Sequence, residues 1–233
     1  MRMKRMDKRG FTLVELLVAM VVSGIVMTGI YSAFKNQQDS FIAQDQVAEV
    51  QQNLRAGLNF FTHELRMAGY DPDNAVSAGF TTATASTVGF SFVADNDGID
   101  NDNADGDDDT TTGVDEANEM NQVQYELFDD GGDGDTDLVR SVYGGDKVVI
   151  AENIENIQFY YTLADGTQTL APGSLGDIRA VTVSILARAD RPDKNYTHSG
   201  TYPPKFGAEW VPTNDNYRRR FQIIRINCRN MGL

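Results

Sequence analysis

Two hydrophobic rhythms follow one another in the first third of the chain. From Phe11 to Phe34 the sequence reads FTLVELLVAMVVSGIVMTGIYSAF, 24 residues in which Glu15 is the only charge before Lys35. At about 1.5 Å per residue a helix of this length spans roughly 36 Å, enough to cross the ~30 Å hydrocarbon core of a bilayer. Beyond it, Val47, Val50, Leu54, Leu58, Phe61, Leu65 and Ala68 recur every three or four residues, while Gln44, Asp45, Glu49, Gln52, Arg55 and Glu64 take other faces. That one-sided stripe belongs to an amphipathic helix, and Gly69 and Pro72 supply its stop. The pattern predicts one helix from near Phe11 to about Ala68, with a transmembrane part over 11–34 and an amphipathic continuation over 35–69. Ser23-Gly24, Thr28-Gly29 and Gly57 fall inside it, where a glycine costs about 1 kcal/mol relative to alanine and marks local melting or close helix packing.

After Gly69 the period changes to two. Thr87 to Ala94 places Val88, Phe90 and Phe92 on one face, and Gln122 to Phe128 does the same with Val123, Tyr125 and Leu127. Further strands are predicted over Leu138–Tyr143, Lys147–Ile150, Ile157–Leu163, Ile178–Arg188 and Phe221–Arg229, with a turn at Ala164-Asp165-Gly166-Thr167. A long helix followed by mostly antiparallel strands defines an α+β fold, a sheet laid over the second half of the helix. Residues 70–233 form the β-rich domain, interrupted by an acidic insertion at about 95–137.

The 233 residues carry a formal charge of −14, but its distribution matters more than its sum. Asp95 to Asp137 holds 17 acidic residues and no Lys or Arg, so the rest of the chain sums to −14 + 17 = +3. Residues 1–10 contain Arg2, Lys4, Arg5, Lys8 and Arg9 against Asp7, a basic leader directly before the apolar run. Positive charge holds that end in the cytoplasm and places the domain after Lys35 on the other side of an inner membrane crossed once. A secretory signal carries a small-residue cleavage site after its apolar core, and no persuasive A-x-A follows this one. Arg9-Gly10 instead precedes the apolar run, and Glu15 sits within it, where a lone carboxylate costs about 2.5–3.5 kcal/mol on insertion scales and so calls for a partner or a task.

The run Lys8-Arg9-Gly10-Phe11-Thr12-Leu13-Val14-Glu15-Leu16 resembles the class III signal of type IV pilins and of type II secretion pseudopilins. The resemblance implies a type IV pilin-like fold, a prepilin peptidase that cuts after Gly10 and methylates Phe11 as the new N-terminus, and Glu15 as the assembly glutamate. Four residues of helix place that carboxylate roughly 6 Å along the axis from the Phe11 amine. In low dielectric, a neighbouring subunit's amine that meets Glu15 offsets two desolvation penalties, and a wrong axial register leaves both charges unpaired. Towards the C-terminus, the Ile178–Arg188 segment and Tyr217-Arg218-Arg219-Arg220-Phe221 with Arg229-Asn230 resemble PilW-type minor pilins, whereas a GspJ-like type II secretion pseudopilin shares the leader and architecture. The partners implied are the prepilin peptidase/methylase, a major pilin and other minor pilins, with the domain periplasmic and then carried on an extracellular filament.

Asp and Asn alternate with glycine through DNDGIDNDNADGDDD at Asp95–Asp109 and DDGGDGDTD at Asp129–Asp137, the oxygen-rich pattern a hard cation requires. Calcium is the expected ion, with Asp100, Asp102, Asp105, Asp107, Asp115 and Glu116 as candidate ligands. An EF-hand alignment on Gly106 fails because Thr112 stands where the bidentate Glu belongs. The competing expectation is a solvated acidic loop; a calcium-dependent adhesive tip subunit is the functional variant of the metal reading.

Other chemistry is thin. The chain has one cysteine, Cys228, so no internal disulfide, and two histidines, His63 and His198. No G-x-S-x-G elbow, H-E-x-x-H, phosphate loop or G-x-G-x-x-G occurs, and no enzymatic function or required cofactor is expected. Arg218, Arg219 and Arg220 could meet phosphates, but no aromatic platform accompanies them and the chain is strongly acidic. Nucleic acid is therefore not an expected partner, and the arginines are expected to face solvent or to pair with the sheet's acids.

Overall fold

The computed structural model describes residues 11–72, 77–93, 120–129, 132, 134–142, 144–212 and 214–232. Two compact units divide the chain between Asp45 and Gln46. One helix, α1 (Leu13–Met67), runs through 55 residues without interruption, so neither Ser23-Gly24 nor Thr28-Gly29 melts it. Thr28 donates its hydroxyl to the Gly24 carbonyl at 2.8 Å, a local bond within the turn. The helix stops where expected: Gly69 takes φ 76°, a left-handed conformation open to glycine, and Tyr70 N–H bonds back to the Met67 carbonyl at 2.8 Å.

Among the described residues the second unit holds nine strands: β1 (Phe80–Ala83), β2 (Val88–Val93), β3 (Met120–Phe128), β4 (Asp137–Val142), β5 (Val148–Ala151), β6 (Ile154–Leu163), β7 (Gln168–Thr169), β8 (Ile178–Arg188) and β9 (Arg219–Asn227). The antiparallel arrangement holds throughout, but a single sheet does not. The strands form a five-stranded meander β1-β2-β3-β4-β5 and a separate four-stranded sheet β7-β6-β8-β9. The break falls at Glu152-Asn153, between β5 and β6, where Asn153 adopts φ 56° and Ile154 N–H turns to the Thr136 carbonyl at 2.7 Å. Period-two alternation reports that a strand has one buried face and carries no information about which strand lies beside it, so the division was invisible in the pattern. The short strands β1 and β7 escaped it too: β1 reads FTTA, with no apolar alternation, and the two residues of β7 are too few for a period to register.

Both sheets and the second half of α1 close on one core. Val50, Leu54, Leu58, Phe61 and Leu65 from the helix meet Phe90, Tyr125 and Leu138 of the first sheet and Phe159, Tyr161, Val181 and Ile185 of the second. Phe61 stands edge-on to Tyr125 with ring centroids 4.8 Å apart, and its other neighbour is Phe159 at 5.8 Å. Full burial of a side chain such as Leu54 contributes about 1.5–3 kcal/mol. At Gly57 the helix comes close to a strand: a Cβ there would lie 2.7 Å from Ala151 Cβ and 3.2 Å from the Ile150 carbonyl oxygen of β5. Of the expected stripe Val47 alone stays substantially exposed. The strand β8 is buried on both faces, because residues 189–218 return over its outer side; Lys205 N–H reaches the fully buried Ser184 hydroxyl at 2.9 Å.

Candidate functional site

The N-terminal unit offers an apolar cylinder. Every residue from Phe11 to Gln38 is exposed, including Phe11 at 87%, and among the described residues α1 is the one helix long and apolar enough to cross a membrane. A helix apolar all round is stable only in apolar surroundings, which a membrane or a packed bundle provides and water does not.

The start of that helix is built by two residues. Thr12 lies just ahead of Leu13, and its hydroxyl accepts the Glu15 N–H at 3.3 Å. Glu15 returns the favour, its Oε2 accepting the Thr12 N–H and the Thr12 hydroxyl, each at 3.3 Å. The pattern is a capping box, Thr at the cap and Glu three residues on, each satisfying a backbone donor the helix leaves orphaned. The sequence carries this signal as T-x-x-E immediately before an apolar run. Its chemical consequence is that the Glu15 carboxylate is aimed back at the beginning of the helix, where the backbone N–H groups and the helix dipole favour negative charge. The helix begins two residues later than Phe11, leaving Phe11 outside the first turn. Gly10 lies outside the described residues.

The candidate calcium ligands Asp100, Asp102, Asp105, Asp107, Asp115 and Glu116 all lie outside the described residues as well. Among the described residues no three His, Cys, Asp or Glu side chains gather to hold a metal ion.

Pattern reading misplaced one side chain in the domain. Glu64 was expected on a polar face of the helix, yet it is buried between Phe61 and Leu65 and aimed at the first sheet. Arg140 of β4 grips it with two bonds, Nε to Oε2 at 2.9 Å and Nη2 to Oε1 at 2.8 Å, and Tyr125 of β3 donates its hydroxyl to the same carboxylate. Burial, reinforced by the Glu64 carboxylate, pushes the Tyr125 hydroxyl far above its ordinary pKa. Burial opposes the charge on Arg140, but its bonds and attraction to Glu64 outweigh that and hold its pKa above the usual value. The available signal was Arg140 itself, a cation in the middle of the strand DLVRSV that needed an opposite charge against it.

The C-terminal arginines are committed internally. The Arg219 side chain is 1% exposed and is held by two carboxylates, with Nε 2.6 Å from Glu155 Oε2 and Nη2 2.7 Å from Asp215 Oδ2. Arg218 binds Asp193 at 2.7 Å, and only Arg220 faces solvent. Paired in this way, the cluster locks the β8–β9 connection to the second sheet and offers no phosphate grip. His63 is exposed on α1, and His198 is buried within the same connection, between the Tyr196 hydroxyl at 3.2 Å and the Gly200 carbonyl at 3.0 Å. Burial pushes the Cys228 thiol up to about 12, which keeps it protonated and unreactive.

Two comparisons bear on this geometry. Residues 5–31 match the prokaryotic N-terminal methylation motif. The fold is similar to that of a type IV-like pilin from Thermus thermophilus, with a TM-score of 0.50 and 15% sequence identity over 78% of this chain and 98% of that one. No curated protein sequence matches the chain. The architecture is thus type IV pilin-like, and the motif and the apolar helix together mark a membrane-anchored structural subunit of the pilin type, not an enzyme.

Proposed function

We propose that the chain is a minor type IV pilin, similar to the PilW type, that enters a filament by its N-terminal helix and serves as an initiating or capping subunit. In this reading prepilin peptidase cuts between Gly10 and Phe11, methylates Phe11, and leaves Glu15 to select the axial register against the amine of a neighbouring subunit. The domain after Lys35 faces the periplasm before the subunit joins major and minor pilins outside. The observation that carries the reading is the Thr12–Glu15 capping box at the head of a helix whose apolar first part, to Gln38, is exposed on every side, inside a methylation motif. The Glu15 carboxylate is bonded to the Thr12 N–H, one residue along the chain from the amine that cleavage after Gly10 would create, which supports this reading.

Two substitutions separate the charge from the cap. Glu15→Gln keeps a capping-box side chain and removes the charge, whereas Glu15→Ala removes both. Both variants are expected to insert and to be processed to a methylated Phe11, seen by mass spectrometry of the N-terminus, and both are expected to vanish from sheared filaments. Filaments that contain Glu15→Gln at the wild-type level would reduce the glutamate to a helix cap. Recovery of the native chain with a secretion complex and never with pili would move it to the pseudopilin class.

A further inference from the structure

The second sheet ends on an open strand. β9 closes the order β7-β6-β8-β9, and among the described residues no strand pairs with its other side. Its nine pairs with β8 run from Arg188–Arg219 to Ala180–Asn227 without a register shift. The other three sheet edges are blunted. β1 and β5 have four residues each and β7 has two, and just past β5 the Asn53 side chain bonds both the N–H and the carbonyl of Glu152. Short strands, prolines and bulges are how a sheet turns away a further strand, and β9 has none of them.

The ladder with β8 fixes what the open edge presents. The Ala189 N–H bonds to the Arg218 carbonyl at 2.8 Å and the Cys228 N–H to the Arg179 carbonyl at 3.0 Å, so the even-numbered residues of β9 turn their backbone groups to β8. Phe221, Ile223, Arg225 and Asn227 turn theirs outward. Side chains alternate between the two faces as well. Ile223 stands opposite Ser184 and Arg225 opposite Thr182 on the outer face, whereas Arg220 belongs to the face of α1, beside Val47, Val50 and Gln51. Arg220, Ile223 and Arg225 are all exposed, Ile223 by 44%. Among the described residues no carboxylate is paired with Arg220 or Arg225.

The charges decide the occupant. From Tyr217 to Leu233 the chain has five arginines and no acid. A second copy of β9 brings the same positive charge to the edge and is repelled. Arg220 and Arg225 lie about 17 Å apart along the strand and on opposite faces, so they do not converge on one phosphate. A strand running antiparallel to β9 answers both: an acid opposite Arg225, an apolar residue two positions on opposite Ile223, and a second acid three positions beyond that opposite Arg220. We propose that the open edge of β9 binds an extended acidic segment of a partner protein as a further strand of the sheet, its main chain bonding the outward N–H and C=O groups and its acids, five residues apart, meeting Arg225 and Arg220. The surface lies on the domain and is independent of the part assigned to the N-terminal helix.

The full chain in a zwitterionic detergent would be titrated into the fluorescein-labelled peptide TETVTTET, which carries this spacing. Its anisotropy is expected to rise saturably with a Kd of about 100 µM, and the neutral peptide TQTVTTQT to bind about tenfold more weakly or worse. Ile223→Pro removes an outward N–H that β8 does not use, and it is expected to weaken TETVTTET about tenfold or more while near-ultraviolet dichroism stays native. Should that variant misfold, the double variant Arg220→Glu with Arg225→Glu, at two exposed and unpaired positions, carries the test with the same expected loss. No binding of TETVTTET up to about 1 mM, equal binding of TQTVTTQT, or undiminished binding in a folded variant overturns the proposal. A dimer of the native chain that sedimentation detects and Ile223→Pro dissociates overturns it too, by seating a second copy on the edge.

Discussion

Ile25, Met27 and Tyr31 in the first part of α1 are about 70% exposed, while Leu54, Phe61 and Leu65 in its second part are at most 1% exposed. Residues of the same chemistry on the same helix therefore meet opposite environments. The glycines repeat the contrast: nothing lies within 4 Å of a Cβ built at Gly24 or Gly29, whereas one at Gly57 would strike β5. The lesson is that apolar content alone does not locate a protein's own core. The first part keeps its apolar surface for lipid or for neighbouring helices, and the second part spends its stripe on two sheets of its own chain.

Mutations should split along that line. Phe61→Ala is expected to cost about 3–5 kcal/mol in urea denaturation of the domain, and Leu17→Ala less than about 0.5 kcal/mol. Equal effects would erase the distinction. Arg140→Met, which leaves Glu64 charged and unpaired in the core, is expected to cost about 3–5 kcal/mol, and the double variant Glu64→Leu with Arg140→Met much less than the sum of the singles. Additive losses would mean that the two side chains do not act as a pair. Gly57→Ala should cost about 1–3 kcal/mol through overpacking against Ala151, while Gly24→Ala should leave the domain's melting temperature unchanged and raise helix content slightly.

The smallest effects come from pH and are confined to the domain. The Asn195 backbone N–H and then Arg218 hold the Asp193 carboxyl below its ordinary value, so the unfolded chain takes up the proton first on acidification. The stability this group supplies is present above about pH 4 and is lost as pH falls through the folded value. At the other end, burial raises the Tyr125 and Tyr161 hydroxyls above 10.0 and the Cys228 thiol from 9.0 to about 12. The unfolded chain ionises these first, so stability is full below pH 9.0 and declines as pH rises towards 12. Thermal melts at graded pH would show both limbs, and a flat alkaline limb would contradict the burial of these three groups.

Much of this was legible in residue order. The helix end at Gly69, the strand Ile178–Arg188 and the inward positions Val88, Phe90, Val123 and Tyr125 all emerged from periodicity, because burying one face of a regular element leaves a fixed repeat. The capping box was legible too, written as Thr12-x-x-Glu15. Glu64 was not, since a charge reads as a solvent face until Arg140, 76 residues away, is brought against it. Nor was the open edge of β9, since which strand ends a sheet depends on pairings between distant segments.

Sequence by itself determined the length and apolarity of the first helix, its capped start and stop, the basic leader and the alternation of the strands. Each depends on neighbours within a few residues, where the geometry of helix and strand is fixed by the backbone. Tertiary structure alone decided the division into two sheets, the burial of Glu64 with Arg140, the pairing of Arg218 and Arg219, and the open edge of β9. These depend on which distant segments touch, and local spacing carries no record of that.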